Sequence, residues 1–133
     1  MLDTNVLVST ALPGSRLHTL VDVWQHGRCR VLLSDEIFDE YLRVLTYPKF
    51  KLSSADIKRI LERDLRPYAE LVTVTSRVDA IPHDPADNTF LACALDGHAD
   101  FIVSGDHHLL TLRSFHDIPI LTARRFLQQL SHR

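Results

Sequence analysis

Only two of the 133 residues are cysteine, Cys29 and Cys93, and they do not form a Cys-x-x-Cys motif. A disulfide framework or a cysteine zinc site is therefore not expected. We interpret both residues as buried apolar side chains in a reducing compartment. The N-terminus also lacks a basic segment followed by a long apolar run, so no secretory signal peptide is predicted.

Long hydrophobic runs and an excess of one charge are absent too. The longest apolar runs span a few residues, whereas a membrane helix needs about 20, so we predict a cytoplasmic protein without membrane contact. The formal net charge is -2. Nucleic-acid binders are usually basic, but carboxylates that hold divalent cations would offset the acidic balance. The overall charge therefore neither supports nor excludes a nucleic-acid partner.

Several enzyme classes lose support because their motifs are missing. The chain has no G-x-G-x-x-G, Walker A or G-x-S-x-G motif. An aspartyl phosphatase would carry a second acid two residues after the first, and Asn5 stands there. No His-x-x-x-His pair supports zinc, so the eight histidines, including His107 and His108, are interpreted as surface or capping residues.

The apolar periodicity alternates between helix and strand over a single domain, residues 1–133, without repeats or linkers. Helices are predicted at about 16–26, 35–47, 54–66 and 84–95, after 106, and from 123. Ser34 is expected to cap the helix at 35–47, with Ile37, Tyr41, Leu42 and Leu45 as its apolar stripe, and Ser53 or Ser54 is expected to cap the helix at 54–66. Strands are predicted at 29–33, 71–75, 101–104 and 118–121. Apolar strands separated by helices indicate a parallel sheet covered on both faces. In such folds ligands bind beyond the carboxyl ends of the strands.

Two acids follow predicted strand ends. Asp3 comes after Met1 and Leu2, and Asp106 follows the strand at 101–104. Each also has a purely structural explanation. Asp3 suits an Asx-type turn, and Asp106 suits the N-cap of the next helix.

Two further acids lie on predicted helices. Glu40 flanks the apolar stripe of its helix, and an acid that points toward the interior there is costly unless a cation meets it. Alternatively, Glu40 is an exposed residue at the edge of the stripe. Asp39 can point outward and pair with Arg43 at i+4. Asp87 faces the sheet edge, but it also suits the third helical position of a cap that begins with Asp84. Every acid therefore retains a second explanation.

All four acids can reach one edge of the predicted sheet. Clustered carboxylates repel each other, so such a site needs cations. Hard oxygen ligands favour Mg²⁺ or Mn²⁺ over zinc. Two such ions roughly 3.5–4 Å apart can clamp the attacking and leaving oxygens of a phosphodiester. Lys49 and Lys51, which flank Phe50, could contact nucleic-acid phosphates, or belong to a solvated face.

Four segments of the sequence resemble the PIN domain, in order and spacing. They are LDTNVLVS at 2–9, LSDEIFDEYLRVL at 33–45, DPADNTFLA at 84–92 and ADFIVSGDHHLL at 99–110. The similarity runs from about Leu2 to Leu121 and is greatest to the bacterial VapC-like group, which is assigned as toxins of toxin–antitoxin systems. A lone Asp-Thr-Asn would be weak, but four ordered segments are specific.

The resemblance implies a three-layer α/β/α sandwich with a central, mainly parallel sheet of about five strands. It also implies a Mg²⁺- or Mn²⁺-dependent endoribonuclease in which a metal-bound water attacks the phosphorus, leaving a 5′-phosphate and a 3′-hydroxyl. The family's metal-holding acids map to Asp3, Glu40, Asp87 and Asp106, its supporting polar positions to Thr4, Asn5 and Ser104, and an accessory acid to Asp84.

The resemblance further implies an RNA substrate, a small antitoxin protein and a homodimer, for which the apolar helices 35–47 and 54–66 could supply the surface. Two alternatives are a PIN-fold RNA- or protein-binding module with little turnover and a phosphohydrolase using the same metals. The sequence departs from the family twice. Only Met1 and Leu2 precede the first acid, so either the true start lies upstream or the central strand is short, and His108 stands where a further acid is frequent.

Overall fold

The computed structural model describes residues 1–12, 15–80 and 85–131, without the side chains of residues 16 and 85–87. The helices are α1 (Thr4–Ala11), α2 (Thr19–Gln25), α3 (Asp35–Leu45), α4 (Ser54–Lys58), α5 (Pro85–Asp96), α6 (His107–Leu112) and α7 (Ala123–Ser131). The strands are β1 (Val31–Leu33), β2 (Ala69–Leu71), β3 (Ile102–Val103), β4 (Ser114–Phe115) and β5 (Ile118–Leu121). The α/β class predicted from the sequence is confirmed.

The strands form two groups in the part of the chain that the structure describes. β1 and β2 pair in parallel, while β5 lies between β3, its parallel neighbour, and β4, which is antiparallel. Leu2 adds a parallel bridge to Val103 on the other edge of β3. The described residues therefore do not show one continuous five-stranded sheet, and β4 was not predicted.

Local sequence signals account for the helix starts. Ser34 was predicted to cap α3, and its hydroxyl accepts a hydrogen bond from the Ile37 N–H at 3.2 Å. Ser53 caps α4, where Asp56 completes a reciprocal capping box with two 3.0 Å hydrogen bonds. Both predictions are confirmed because capping depends only on residues three apart.

Helix α3 ties the N-terminal segment to α5. Its buried face carries Ile37, Tyr41, Val44 and Leu45, whereas Leu42, predicted to point inward, is 40% exposed. The Tyr41 hydroxyl donates to the Leu2 carbonyl oxygen at 2.6 Å. The Tyr41 ring also stacks near Phe90 of α5, with the centroids 6.2 Å apart. These contacts fix α3 beside the first residues of the chain.

The helix predicted at 54–66 is not uniform. After α4 the chain continues as a π-helical stretch, Arg59–Leu65. There the Trp24 indole N–H donates to the Asp64 carbonyl oxygen at 2.9 Å. Asp64 is near the end of this stretch, where the last carbonyl groups of a helix have no partner within it, and Trp24 uses one of them. This contact joins α2 to the π-helical stretch and could not be predicted from periodicity.

The strand predicted at 71–75 is displaced. β2 ends at Leu71, and residues 72–80 have no regular secondary structure, although the Val72 N–H still donates to the Leu33 carbonyl oxygen at 2.8 Å. The N–H groups of Thr75 and Ser76 instead donate to the Asp96 carboxylate, at 2.7 and 2.9 Å. A side chain from α5 thus takes the place of a neighbouring strand.

Asp96→Asn is expected to destabilise the protein at neutral pH only. Hydrogen bonds from the Ser76 side chain, then from the Ser76 and Thr75 backbones, hold the pKa of Asp96 below its usual range. A lowered folded-state pKa contributes stability above the unfolded value, and that stability is lost as the pH falls through the folded value. The melting temperatures of the two proteins should therefore converge on acidification, and a gap that persists in acid would contradict this role.

Two parallel segments place the predicted acids at one edge. The Asp3 N–H donates to the Val103 carbonyl oxygen at 3.1 Å, and the Val103 N–H donates to the Met1 carbonyl oxygen at 2.8 Å. Both segments therefore end at the same side, where Asp3 and Ser104 follow. None of the helices in the described ranges is both long enough and apolar enough to cross a membrane.

Candidate metal centre

Ser104 joins the two acids that follow strand ends. Its hydroxyl donates to the Asp3 carboxylate and accepts a hydrogen bond from the Asp106 N–H at 2.9 Å. Ser104 is fully buried, and Asp3 is only 3% exposed. One hydroxyl therefore fixes the Asp3 carboxylate relative to the backbone that carries Asp106.

Both acids also cap helices, as their structural explanations required. The Asp3 carboxylate accepts from the Val6 N–H at 2.9 Å at the start of α1. The Asp106 carboxylate accepts from the His108 N–H at 2.7 Å at the start of α6. A carboxylate has about four lone-pair sites, so one capping bond leaves acceptor capacity for a cation. Capping and metal binding are therefore compatible at both positions.

The electrostatics at Asp3 favour an added positive charge. Burial raises the pKa of Asp3, and the nearby Asp106 carboxylate adds to the rise, while hydrogen bonds from Ser104 and Val6 oppose it. No ion pair reaches Asp3 among the residues that are described. A buried carboxylate without a cation is costly.

A cavity of about 280 Å³ opens beside these acids. A water molecule occupies about 30 Å³ in the liquid, so the cavity has room for hydrated ions and a phosphate. Eleven residues line it: Asp3, Thr4, Asn5, Glu40, Arg43, Val44, Tyr47, Lys49, Phe50, Phe90 and Asp106. Every acid of the prediction whose side chain is described reaches this cavity.

Glu40 lies at the cavity but is paired with Arg43. The Arg43 guanidinium donates to both Glu40 oxygens, at 2.8 and 2.9 Å from Nη2. Of the two acids that could pair with Arg43, Glu40 at i,i+3 takes the guanidinium, and Asp39 does not. The Arg43 side chain is 57% exposed. The Glu40 side chain is only 21% exposed, and the guanidinium contacts both of its oxygens, so this pair is expected to be stronger than a typical surface ion pair, which contributes about 0–1 kcal/mol.

The remaining acidic predictions fall largely outside the described side chains. Asp87 lies in α5, and its side chain is not described; Asp84 lies outside the described residues altogether. Phe90, three residues after Asp87, lines the cavity. Residues three apart on a helix share a face. The backbone of α5 therefore brings the turn that carries Asp87 to this cavity.

The supporting polar residues differ in their surroundings. Thr4 is buried, and its hydroxyl oxygen has no hydrogen-bond partner within the described part of the chain. Asn5 is exposed at the cavity, and Ser104 bridges Asp3 and Asp106. Together with the buried Asp3 carboxylate and the partly exposed Glu40 and Asp106, the orphaned hydroxyl makes an all-oxygen donor set, which suits a hard divalent cation.

No group of three His, Cys, Asp or Glu side chains is close enough to hold a metal ion within the described residues. The structure brings Asp3 and Asp106 together and places Glu40 on the same cavity. Arg43 and Tyr47, which the sequence analysis did not assign to the site, also line it. Arg43 follows Glu40 by three residues, and Tyr47 follows Arg43 by four. This spacing places side chains along one helical face, so it was the signal in the sequence that could have predicted both residues.

Comparison with known proteins identifies one family. The family model described as PIN domain matches residues 1–108. The matched range runs from the first residue to the start of α6 and includes every residue of the predicted acidic site. No curated protein and no solved structure matches the chain.

Proposed function

Since this chain belongs to the PIN domain family, we propose that it is an endoribonuclease that hydrolyses RNA phosphodiester bonds with Mg²⁺ or Mn²⁺. PIN domains are commonly nucleases and generally bind divalent metals. One observation carries the proposal: the ends of two neighbouring strands bring Asp3 and Asp106 to one hydroxyl, Ser104, beside a cavity that Glu40 also lines.

The proposed metal ligands are Asp3, Glu40, Asp87 and Asp106. Among the described residues, the Thr4 hydroxyl has no hydrogen-bond partner and no ion pair reaches the buried Asp3 carboxylate, and both observations support a fit to a hard divalent ion. When bound, such an ion polarises a phosphoryl oxygen and lowers the pKa of a coordinated water.

The chain's own residues set the geometry for that chemistry. Ser104 holds the Asp3 carboxylate in one orientation, and the Val6 N–H fixes its other side. Glu40 would hold the cation only after it releases Arg43, whose side chain is 57% exposed and can turn into solvent. The released guanidinium would then be free for a substrate phosphate. The proposed products carry a 5′-phosphate and a 3′-hydroxyl.

The proposed architecture is the three-layer α/β/α sandwich with a central, mainly parallel sheet. The parallel pairs β1–β2 and β3–β5, with the Met1–Asp3 segment beside β3, support it as parts of that sheet. Helix α7 packs against β5, and α5 packs against β1.

Labelled RNA should be cleaved by the purified protein in Mn²⁺ and left intact in EDTA, because the carboxylates need a cation to approach a phosphodiester. Gel analysis of fragment lengths and end groups measures this. Binding of RNA without cleavage in Mn²⁺ would favour a binding module. The Arg43–Glu40 pair supports this second candidate, because it occupies one of the proposed metal ligands. Hydrolysis of small phosphate esters but not RNA would favour a phosphohydrolase.

A toxin role, a small antitoxin partner and a homodimer complete the proposal. An apolar groove between α3 and α4 supports a protein contact there, since Leu42 is exposed and Phe38 is half-buried beside Ile57 and Leu61. A molar mass from light scattering tests the dimer, and the monomer mass across a concentration series would reject it.

A further inference from the structure

The rim of the acidic cavity carries two aromatic rings, each with a cation over its face. The rings of Tyr47 and Phe50 are nearly parallel, with an interplanar angle of 6° and centroids 6.5 Å apart. The Arg43 guanidinium carbon lies 5.7 Å from the Tyr47 centroid, and the Lys49 amine lies 5.1 Å from the Phe50 centroid. We call these four residues the aromatic ledge. All four line the same cavity as Asp3.

The ledge is held in place by short-range backbone contacts. It spans the end of α3 and the tight turn Pro48–Phe50 that follows. The Phe50 N–H donates to the Tyr47 carbonyl oxygen at 3.1 Å, and the Lys51 N–H donates to the Pro48 carbonyl oxygen at 3.1 Å. Proline also fixes its own φ angle. A ligand would therefore meet rings that are already oriented, which lowers the entropic cost of binding.

The rings remain accessible. Tyr47 is 37% exposed, and Phe50 is half-buried against the core. The Arg43 guanidinium also donates to the Tyr47 hydroxyl, so one cation links Glu40 in the cavity to the exposed ring. The ledge is thus continuous with the acidic site and is not a separate patch.

We propose that the aromatic ledge binds an unpaired nucleotide of a single-stranded RNA, next to the phosphodiester that enters the cavity. This inference rests on the proposed function. The base would take the place of the Arg43 guanidinium over the Tyr47 ring, and Arg43 and Lys49 would then neutralise the flanking phosphates. Every base has a π-face, so stacking on aromatic side chains is tolerant of sequence.

The ligand is a single strand because a duplex does not offer the necessary surface. Bases in a helix are stacked on each other, whereas unpaired bases are free to stack on protein rings. The combination of rings and cations also offsets the repulsion between RNA phosphates and the acids of the cavity. A peptide with acidic residues would use the cations but would not need two parallel rings.

Binding in EDTA tests the ledge without cleavage. Fluorescence anisotropy at low salt would measure the affinity of the wild-type protein for three labelled ligands. These are a single-stranded RNA, its duplex and an abasic strand of equal length. The single strand should bind at least about fivefold tighter than either of the others. Tyr47→Ala should weaken the affinity for the single strand by about the same factor, while Tyr47→Phe should retain most of that affinity because it keeps the ring.

Tyr68→Ala is the matched control, since Tyr68 is equally exposed at 38% and lies outside the cavity lining. Equal affinity for the intact and abasic strands, or for wild-type protein and Tyr47→Ala, would overturn the proposal. The abasic comparison needs no variant, so it holds even if a substitution unfolds the protein. Binding with these preferences but without cleavage in Mn²⁺ would support the ledge and reject the nuclease.

Discussion

Asp3→Asn is expected to reduce RNA cleavage in Mn²⁺ by more than about 100-fold without loss of folded protein. Residues that only orient a metal ligand typically contribute 10–100-fold, so removing a ligand charge should cost more. Asparagine has the shape of aspartate, and its oxygen can still accept the Val6 N–H that starts α1. The variant therefore removes the charge while it keeps the cap.

Thermal unfolding separates the metal role from the fold. Mn²⁺ should raise the melting temperature of the wild-type protein, because a ligand that binds only the folded state stabilises it. In Asp3→Asn that increase should largely disappear, whereas the melting temperature in EDTA should not fall, since a buried charge has been removed.

Asp39→Asn is the control for the charge change. Asp39 is an exposed acid on α3 beside Glu40 and does not line the cavity. It should cleave RNA and respond to Mn²⁺ as the wild-type protein does. If Asp3→Asn retained full cleavage, or the same stabilisation by Mn²⁺, Asp3 would not be a metal ligand.

Ser104→Ala is expected to reduce cleavage by about 10- to 100-fold, as losses of residues that orient metal ligands do. The change removes the donor to the Asp3 carboxylate and the acceptor for the Asp106 N–H. Unpaired buried groups also cost stability, so the free energy of unfolding should fall by about 1–3 kcal/mol. Cleavage assays and denaturant unfolding measure the two effects separately.

A second buried hydroxyl distinguishes positioning from general destabilisation. Thr10 is buried, donates to the Leu7 carbonyl oxygen at 2.6 Å and lies outside the cavity lining. Thr10→Val should lose about 0.5–1.5 kcal/mol of stability but no cleavage activity. Equal cleavage by Ser104→Ala and Thr10→Val would show that Ser104 supports only the fold.

Much of the secondary structure was predictable because its signals are local. Ser34 caps α3, and Ile118–Leu121 forms β5, as predicted from periodicity and capping. The prediction of a strand at 71–75 was wrong because this segment makes a contact with a residue that is distant in the sequence. No regular strand continues beyond Leu71, and the N–H groups of Thr75 and Ser76 donate to the carboxylate of Asp96, which lies 21 and 20 residues further along the chain.

The candidate site was likewise predictable from the sequence only in part. Residue order alone placed Asp3 and Asp106 after strands, and the rule that parallel strands end at one edge predicted their meeting. Neither the bridge through Ser104 nor the unpartnered Thr4 hydroxyl could be predicted, because each depends on how the first residues pack beside β3.

By itself the sequence determined the α/β class, the helix caps and the acids available for a metal, because these depend on composition and on neighbours a few residues apart. Only the tertiary structure decided which groups meet. Arg43 had two acids within helical reach, Asp39 and Glu40, and its guanidinium took Glu40 beside Tyr47. That choice depends on the packing around the cavity, where spacing along the chain favours neither partner.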